Sequence, residues 1–268
     1  MMGMDYVMGV DAGSTYTKGV LMNEDREIVA LDVTLTGANI NNAAETIRRK
    51  LLEKSGIRET DVKLVVGTGY GRYVIRFGNI QVTEISCHAR GAHYLFPNTR
   101  TVLDIGGQDM KVIRVNERGD VVDFVMNDKC AAGTGRFVEN IIKSFGLNFK
   151  DANDLALKSR RGIALSSTCT VFAQTEAMEH LAIGDAIEDI MYGVFKSVIT
   201  RAVGLITRVG LTPELTFTGG LSLNPIAVKI LETMLKTKVN HSDMTMFAGA
   251  IGAALYGVEK LEAEKYIG

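Results

Sequence analysis

Two short segments of the chain carry the same residue types at the same spacing, and those types favour phosphate binding. Each segment contains an aspartate, a glycine, a lysine, an asparagine and a glutamate, in that order. Glycine allows backbone N–H groups to surround an anion, and a lysine adds a positive charge close by. The two sets are Asp11, Gly13, Lys18, Asn23 and Glu24, and Asp104, Gly106, Lys111, Asn116 and Glu117.

The aspartates favour a second ligand, a hydrated divalent cation. A carboxylate by itself repels phosphate, whereas Mg²⁺ accepts one or two carboxylates and keeps several waters. Asp11 and Asp104 are therefore candidate residues for orienting the magnesium of a bound nucleotide. One copy alone has an ordinary alternative, because Asp-x-Gly after a strand is often only a hairpin turn. Two copies in register make that alternative much weaker.

Each copy predicts three strands joined by two turns. An apolar strand ends at the Asp-Gly turn, a second strand follows, and a polar Asn-Glu turn leads into a third. A chain of 268 residues suits two domains, so we expect one copy in each. We expect an N-terminal lobe of residues 1–96 plus 247–268, with a returning C-terminal helix, and a second lobe of residues 97–246. The two glycine-containing turns are expected to face one cleft.

Helices and further strands are predicted from apolar spacing and capping residues. Residues 215–218 predict a strand that enters a turn at Gly219 and Gly220, a third turn of the nucleotide-binding type. The small residues of the last helix allow close packing beside a cleft; the ordinary alternative is a tightly packed helix pair with no ligand nearby. The predicted helices cover residues 42–55, 84–96, 134–145, 171–181, 186–209, 225–236 and 247 onwards.

Charge and composition argue against several classes of partner. The chain has 30 basic and 31 acidic residues and a net charge of -1, so no long-range field favours nucleic acid or an anionic membrane. No apolar run reaches the roughly 18 to 20 residues that a membrane span needs. We therefore expect a cytoplasmic protein whose partners are proteins and small molecules.

Two of the three cysteines are candidate metal ligands. Cys130 and Cys169 each stand just ahead of a predicted helix, whose N-terminus favours a thiolate or a bound anionic cluster. Two thiolates cannot complete the four ligands of an ordinary 4Fe-4S cluster, but a twofold dimer would supply four, and it would equally complete a tetrahedral zinc site. Cys87 is predicted to be a small buried residue, and spacing alone gives little support to metal binding by His88 and His93.

The duplicated lobes, the paired Asp-Gly turns and the late Gly-Gly turn resemble the superfamily of actin, heat-shock chaperones and sugar kinases. The resemblance implies an α/β, duplicated two-lobe actin/heat-shock chaperone/sugar kinase-like (ASKHA) ATPase fold. Asp11 and Asp104 would orient magnesium and its waters, and Gln108 would position the attacking water. One side of the phosphates would be held by Gly13, Ser14, Thr15 and Lys18, the other side by Gly106, Gly107 and Gln108, and the adenosine would be bordered by Gly219 and Gly220.

Four further segments carry a more specific resemblance. They are Asn-Asp-Lys-Cys-Ala-Ala-Gly-Thr-Gly-Arg-Phe, Ser-Ser-Thr-Cys-Thr-Val-Phe-Ala, Gly-Thr-Gly-Tyr-Gly-Arg and Asp-Ile-Gly-Gly-Gln-Asp. Over its full length the chain resembles the activators of 2-hydroxyacyl-CoA dehydratases, a family that includes the ATPase subunits of benzoyl-CoA reductase. The resemblance implies a homodimer with one 4Fe-4S cluster at its axis, held by Cys130 and Cys169 of each subunit. Gly67 replaces the more usual alanine before Thr-Gly-Tyr-Gly, which leaves the implied chemistry unchanged.

The activity implied by this resemblance is ATP-dependent one-electron transfer. The protein would accept an electron from reduced ferredoxin or flavodoxin and pass it through the shared cluster to the iron-sulfur component of a 2-hydroxyacyl-CoA dehydratase. Coupling is then expected from Asp104 and Gln108 to the helices that follow Cys130 and Cys169. An anaerobic host follows if solvent reaches a cluster at the dimer axis.

Three alternatives remain open at this point. The target could be a benzoyl-CoA type reductase or another double-cluster protein. A small-molecule kinase of the same superfamily would use Asp109 as its catalytic carboxylate, but it would leave Cys130 and Cys169 unexplained. A nucleotide-dependent assembly or chaperone-like module would carry a structural zinc at its dimer axis instead of a redox cluster.

Overall fold

The computed structural model describes residues 4–127, 134–166 and 170–267. By its contacts the chain forms two units. Unit 1 comprises Met1–Thr99, Val115–Val122 and Met244–Gly268, and unit 2 comprises Arg100–Arg114 and Asp123–Asp243. Unit 1 thus includes Val115–Val122, which lies inside the range 97–246 expected for the second lobe.

Unit 1 is built on a five-stranded sheet of order β3-β2-β1-β4-β5. Its first three strands form an antiparallel meander, and β1 also pairs parallel with β4, which pairs parallel with β5. The strands are β1 (Tyr6–Ala12), β2 (Tyr16–Asn23), β3 (Ile28–Leu35), β4 (Val62–Thr68) and β5 (Ile80–Gln81). The helices are α1 (Ile40–Ser55), α2 (Glu84–Leu95) and the last helix of the chain, α8 (Ala248–Ile267).

The two faces of this sheet are covered by different helices, because successive residues of a strand point to opposite sides. Met8 and Val10 pack with α1 in one apolar cluster. Val7 packs with α2 and α8 in another. A Cβ on Gly9 would lie 2.1 Å from the Ala250 carbonyl oxygen, so β1 and α8 approach closely. Because side chains alternate between the two faces, Asp11 of β1 lies on the same side of the sheet as α8.

Unit 2 repeats this arrangement with a sheet of order β10-β9-β6-β7-β8. In both units a first strand pairs antiparallel with the second and parallel with the fourth. The strands are β6 (Thr101–Ile105), β7 (Met110–Val115), β8 (Val121–Asn127), β9 (Leu215–Thr218) and β10 (Val239–Asn240). The helices are α3 (Gly135–Ser144), α4 (Phe149–Ala156), α5 (Thr170–Ala182), α6 (Ile187–Val209) and α7 (Pro225–Leu235).

The turn between β7 and β8 belongs to unit 1 although most of both strands belongs to unit 2. Arg90 of α2 donates a hydrogen bond to the Arg118 carbonyl at 3.0 Å. Gly119 adopts a φ of +78°, and a Cβ there would lie 2.8 Å from His93. These contacts attach the tip of the hairpin to α2.

The predicted helices are confirmed to within two residues at their described ends. Their caps follow the expected chemistry, because the Asn39 side chain accepts a hydrogen bond from the Asn42 backbone and Gly56 ends α1 with a left-handed φ of 69°. Asn224 likewise caps α7, with Pro225 at its first position. The prediction missed α4, β5 and β10.

One helix is long and apolar enough, by length and composition, to cross a membrane. This is α6, although the sequence analysis predicted no such span. The difference arises because Lys196 and Arg201 interrupt the apolar run, whereas the mean hydropathy of the whole stretch remains high. Most of the stretch is buried inside unit 2, with Phe195 and Val198 fully enclosed. A helix enclosed in the core of a domain can have the same length and composition as a membrane span.

Candidate functional site

The duplication extends to an ion pair at the same place in each hairpin. Asp11 at the end of β1 lies opposite Lys18, and Asp104 at the end of β6 lies opposite Lys111. The lysine Nζ lies 3.2 Å from Asp11 Oδ2 in the first pair and 3.3 Å from Asp104 Oδ2 in the second. Both aspartates are buried. Each lysine therefore holds its carboxylate at the point where the strand turns.

A second pair of matching positions lies at the ends of the fourth strands. Thr68 of β4 lies opposite Asp11, and Thr218 of β9 lies opposite Asp104. Each threonine is followed by a glycine with positive φ, +84° at position 69 and +82° at position 219. A Cβ on Gly69 would lie 2.5 Å from Asp11 Oδ1, and a Cβ on Gly219 would lie 2.7 Å from Asp104 Oδ1. The two positions therefore require glycine for the same reason.

The sequence analysis identified only one of these two glycines as a site residue. Gly219 was assigned to the adenosine side, and its counterpart Gly69 was not recognised. The pattern that could have revealed the match is Thr-Gly after an apolar strand in each half of the chain.

The loop between β1 and β2, called turn 1 below, comprises residues 13–15. A Cβ on Gly13 would lie 2.8 Å from the Tyr16 carbonyl oxygen and 3.9 Å from Lys18 Nζ, so the ammonium group lies beside this turn. The Thr36 hydroxyl donates to the Gly13 carbonyl at 2.7 Å, which ties the turn to the segment after β3. The buried Thr15 hydroxyl has no hydrogen-bond partner among the described residues. A ligand at turn 1 would therefore meet backbone groups, the Thr15 hydroxyl and the Lys18 ammonium.

The loop between β6 and β7, called turn 2 below, comprises residues 106–109. The Gly106 backbone N–H donates to the Asp109 carbonyl at 3.0 Å. The Asp109 carboxylate lies over Gly106, and its Oδ2 is 2.9 Å from Lys111 Nζ. Gln108 is exposed at the tip of the turn, where a ligand could reach it. Lys111 at the start of β7 is therefore paired with two carboxylates, Asp104 at the end of β6 and Asp109 in turn 2.

Turn 2 is also bonded to the start of α3. The backbone N–H of Gly135 donates to the Gly106 carbonyl at 2.9 Å, and the N–H of Arg136 donates to the Gly107 carbonyl at 3.0 Å. Both donors are among the N–H groups at the start of a helix that have no partner within it. The first turn of α3 is thus anchored on the backbone of turn 2.

Asp11 has a neighbour that sequence spacing did not assign to it. A Cβ on Gly249, near the start of α8, would lie 3.0 Å from Asp11 Oδ2 and 2.9 Å from His88 Nε2. His88 is buried on α2, which packs against α8. The sequence analysis considered His88 only as a weak metal ligand, because its approach to Asp11 depends on this packing. Gly249 is therefore a small residue of the last helix that lies beside a candidate site residue.

Cys87 is confirmed as a small buried residue. It is fully enclosed, and burial raises the pKa of its thiol to about 12. A Cβ on Gly252 of α8 would lie 1.9 Å from the Cys87 carbonyl oxygen, so this pair of small residues serves helix packing. At Gly252 the small residues of the last helix therefore serve the tight packing of a helix pair, which was the ordinary alternative to a ligand site.

The two candidate ligands, Cys130 and Cys169, lie outside the described residues. The described part of the chain contains no group of three or more His, Cys, Asp or Glu residues that could hold a metal ion. Within unit 2, α3 begins after the segment of Cys130, α5 begins directly after Cys169, and the two helices pack against each other.

The loop that precedes the Cys169 segment is fixed by one carboxylate, Asp189 in the first turn of α6. Its Oδ1 accepts hydrogen bonds from the Ser159 hydroxyl at 2.7 Å and from the backbone of Arg160 at 3.0 Å. The backbone N–H groups of Arg161 and Gly162 donate to the same oxygen at 3.2 and 3.3 Å. The Ser159 hydroxyl, followed by these N–H groups, holds the pKa of Asp189 well below its usual range.

The helix that follows Cys169 leaves most of its apolar side chains uncovered. Of its residues, Ala173 and Ala177 are the buried ones. Val171 and Phe172 are 66% and 68% exposed. Further along α5 and directly after it, Met178, Leu181 and Ile183 are also exposed. We call the five exposed residues the α5 face.

Comparison with known proteins gives one family. The model of the BadF/BadG/BcrA/BcrD ATPase family matches residues 8–257. The chain is similar to the (R)-2-hydroxyglutaryl-CoA dehydratase activating ATPase of Acidaminococcus fermentans, with 40% identity over 256 residues that cover 95% of this chain and 98% of that protein. It is also similar to the 2-hydroxyisocaproyl-CoA dehydratase activator of Clostridioides difficile, with 38% identity over 263 residues and 98% of each chain.

Solved structures show the fold. The activator of the 2-hydroxyisocaproyl-CoA dehydratase from Clostridium difficile with bound ADPNP matches with a TM-score of 0.93 and 37% identity, over 98% of both chains. A ROK family glucokinase from Streptomyces griseus matches with a TM-score of 0.56 at 12% identity, over 95% of this chain and 99% of that one, a likeness of fold alone. The predicted α/β fold of the actin, heat-shock chaperone and sugar kinase type is confirmed.

Proposed function

The chain belongs to the BadF/BadG/BcrA/BcrD ATPase family, and we propose that it uses ATP hydrolysis to drive one-electron transfer to a 2-hydroxyacyl-CoA dehydratase. The resemblance to dehydratase activators is confirmed by the relatives of nearly equal length. In our proposal the electron comes from reduced ferredoxin or flavodoxin, and the protein works in the cytoplasm of an anaerobic cell.

The proposed nucleotide contacts use the two turns described above. Turn 1 and Lys18 bind phosphate oxygens, and Gln108 positions the attacking water. Asp11 and Asp104 orient Mg²⁺ through its waters, as hydrated Mg²⁺ favours carboxylates. The support is the burial of both aspartates and the matching glycines at their sides. The remaining proposed contacts are Gly13, Ser14, Thr15, Gly106 and Gly107 to phosphate, and Gly219 and Gly220 to adenosine.

The proposed cluster ligands are Cys130 and Cys169. Cys87 is unsuitable, because its side chain is fully enclosed in the apolar cluster that α2 and α8 form on the sheet of unit 1. The donor set of one chain is then two thiolates, half of what a 4Fe-4S cluster requires, so a homodimer completes it. A bound cluster would supply a one-electron acceptor and donor at the dimer axis. The α5 face supports this arrangement, since the helix that follows Cys169 in the sequence leaves an apolar surface for a second copy to cover.

The observation that carries the proposed coupling is the attachment of α3 to turn 2. Gly135 and Arg136 donate to the carbonyls of Gly106 and Gly107. A change in the backbone of turn 2 on hydrolysis would therefore move the first turn of α3. The residues directly before that turn include Cys130, so the nucleotide can alter the position of a cluster ligand.

The free energy of ATP is needed for an electron transfer of this kind. Raising an electron by roughly 300 mV requires about 7 kcal/mol, because roughly 59 mV corresponds to about 1.4 kcal/mol for one electron. One or two hydrogen bonds near a cluster would contribute only about 1 kcal/mol each. A nucleotide-driven change between two conformations can supply more, if the two differ in affinity for the partner.

The test is an anaerobic visible spectrum of the purified protein with iron and sulfide counts. We expect a brown protein with about four irons per dimer that bleaches with dithionite. Cys130→Ser should lose the colour, and the matched control Cys87→Ala should keep it. A colourless protein that contains zinc would favour the assembly module. Transfer of the ATP γ-phosphate to a small molecule by colourless protein would favour the kinase.

A further inference from the structure

The two turns differ in the residue that stands two positions before the lysine. In turn 2 this residue is Asp109, whose Oδ2 lies 2.9 Å from Lys111 Nζ. In the first copy the same position is occupied by Tyr16, which is 45% exposed. The backbone and the Asp–Lys pair are repeated, but at this position the second copy has a carboxylate and the first has a tyrosine.

This substitution changes the local charge. Asp11 and Lys18 together carry no net charge, whereas Asp104, Asp109 and Lys111 together carry one negative charge. The side chains of the second arrangement therefore attract a hydrated cation and offer phosphate no free positive charge, which leaves the backbone of Gly106 and Gly107 for its phosphate contacts.

The two lysines also differ in exposure, and Lys18 is the more accessible of the two. The Lys18 side chain is 12% exposed and its ammonium lies beside turn 1. The Lys111 side chain is 2% exposed and lies between two carboxylates. The Asp109 side chain is 26% exposed, so a ligand at turn 2 meets a carboxylate before it meets the lysine.

We propose that the duplicated turns have divided their work, with turn 1 selecting the phosphates of the nucleotide through Lys18 and turn 2 selecting its divalent cation through Asp109. Lys111 is then a positioning residue that holds Asp104 and Asp109 and makes no phosphate contact. This inference rests on the proposed binding of ATP. It adds to that proposal a role for Asp109 and separates the roles of two lysines at equivalent positions.

The experiment measures the dissociation constant of ATP by calorimetry, in Mg²⁺ and in EDTA, with anaerobically purified full-length protein. The ratio of the two constants is the readout, because a general loss of structure would not change it selectively. Asp109→Asn should reduce the preference for Mg²⁺-ATP about tenfold, since one charged contact to the cation is removed. In EDTA it should tighten the binding of ATP, because one carboxylate no longer repels the phosphates. Lys18→Met should weaken binding about tenfold in both conditions and leave the ratio unchanged.

Two further variants serve as controls. Asp109→Glu keeps the charge and should restore the Mg²⁺ preference. Asp123→Asn removes an exposed carboxylate of β8 and should leave both constants unchanged.

The outcomes separate this inference from the proposed function. Wild-type protein that binds no ATP in either condition would overturn both. Wild-type protein that binds Mg²⁺-ATP, together with an Asp109→Asn variant whose ratio is unchanged, would overturn the inference alone. Loss of hydrolysis in Asp109→Asn at an unchanged ratio would make Asp109 a catalytic base and would equally overturn it.

Discussion

The third and fourth strands of the two sheets are connected differently. In unit 1 the connection contains one α-helix, α1, whereas the described part of unit 2 contains four, α3 to α6. The strands themselves repeat in order and pairing. The repeated sheets position the turns. The segments of Cys130 and Cys169 belong to the longer connection of unit 2. Duplication therefore supplied a common frame, and the longer connection distinguishes the second copy.

Two helices of these connections show what the difference means for packing. In α1 the apolar residues Ile47 and Leu51 are fully buried, and its outer face carries charged residues such as Glu53. In α5 the larger apolar residues, including Phe172, are exposed and small alanines face inward. The first helix is complete within its own unit, whereas the second has an apolar face that its unit does not cover.

The largest effect is expected from charges on the α5 face. The double variant Val171→Asp/Phe172→Asp should be monomeric and colourless, because two buried unpaired carboxylates would prevent a second copy from packing there. Sedimentation and the anaerobic visible spectrum measure both properties. Glu53→Lys, on the outer face of α1, is the matched control and should remain dimeric and brown. A double variant that stays dimeric would show that the two helices do not differ in this way.

A smaller effect is expected from a cavity under α1. Leu51→Ala should lower the free energy of unfolding by about 2 to 5 kcal/mol, because the side chain is fully buried between α1 and the sheet. Urea unfolding followed by circular dichroism measures the change. Leu52→Ala, a half-buried neighbour, should cost clearly less. Equal costs for the two variants would contradict the assignment of the inner face.

The smallest effect is expected at Asp189, which fixes the loop before the Cys169 segment. Its pKa is lowered in the folded protein, so the ionised carboxylate stabilises the fold above the ordinary value of 3.8, and this contribution is lost as the pH falls. Asp189→Asn should lower the free energy of unfolding by about 2 kcal/mol at neutral pH. Between about pH 6 and about pH 3 its stability should fall less than that of the wild type.

The control for this prediction is Asp123→Asn, an exposed carboxylate in the same unit. Its stability should follow the pH dependence of the wild type. Parallel pH profiles for Asp189→Asn and the wild type would mean that the ionised Asp189 carboxylate contributes no stability.

Much of the fold was predictable because its determinants are local. The caps of α1 and α7 depend on residues within one helical turn, and the duplicated hairpins depend on short spacings. The match of Gly69 with Gly219 was missed because it depends on parallel pairing between strands far apart in the chain. The approach of His88 to Asp11 was missed because it depends on the packing of α2 against α8. Long-range packing, which the spacing of residue types does not encode, accounts for both.

The close contact between Gly9 and Ala250 has a consequence for synthesis on the ribosome. β1 is made before every element of unit 2, whereas α8, which packs on one face of β1, is made after them. All of unit 2 has been made once Asp243 has emerged, while unit 1 still lacks Met244–Gly268. Until α8 has emerged, the nascent chain must therefore keep part of this apolar face of its first sheet uncovered. The second copy in the sequence can be the first to fold.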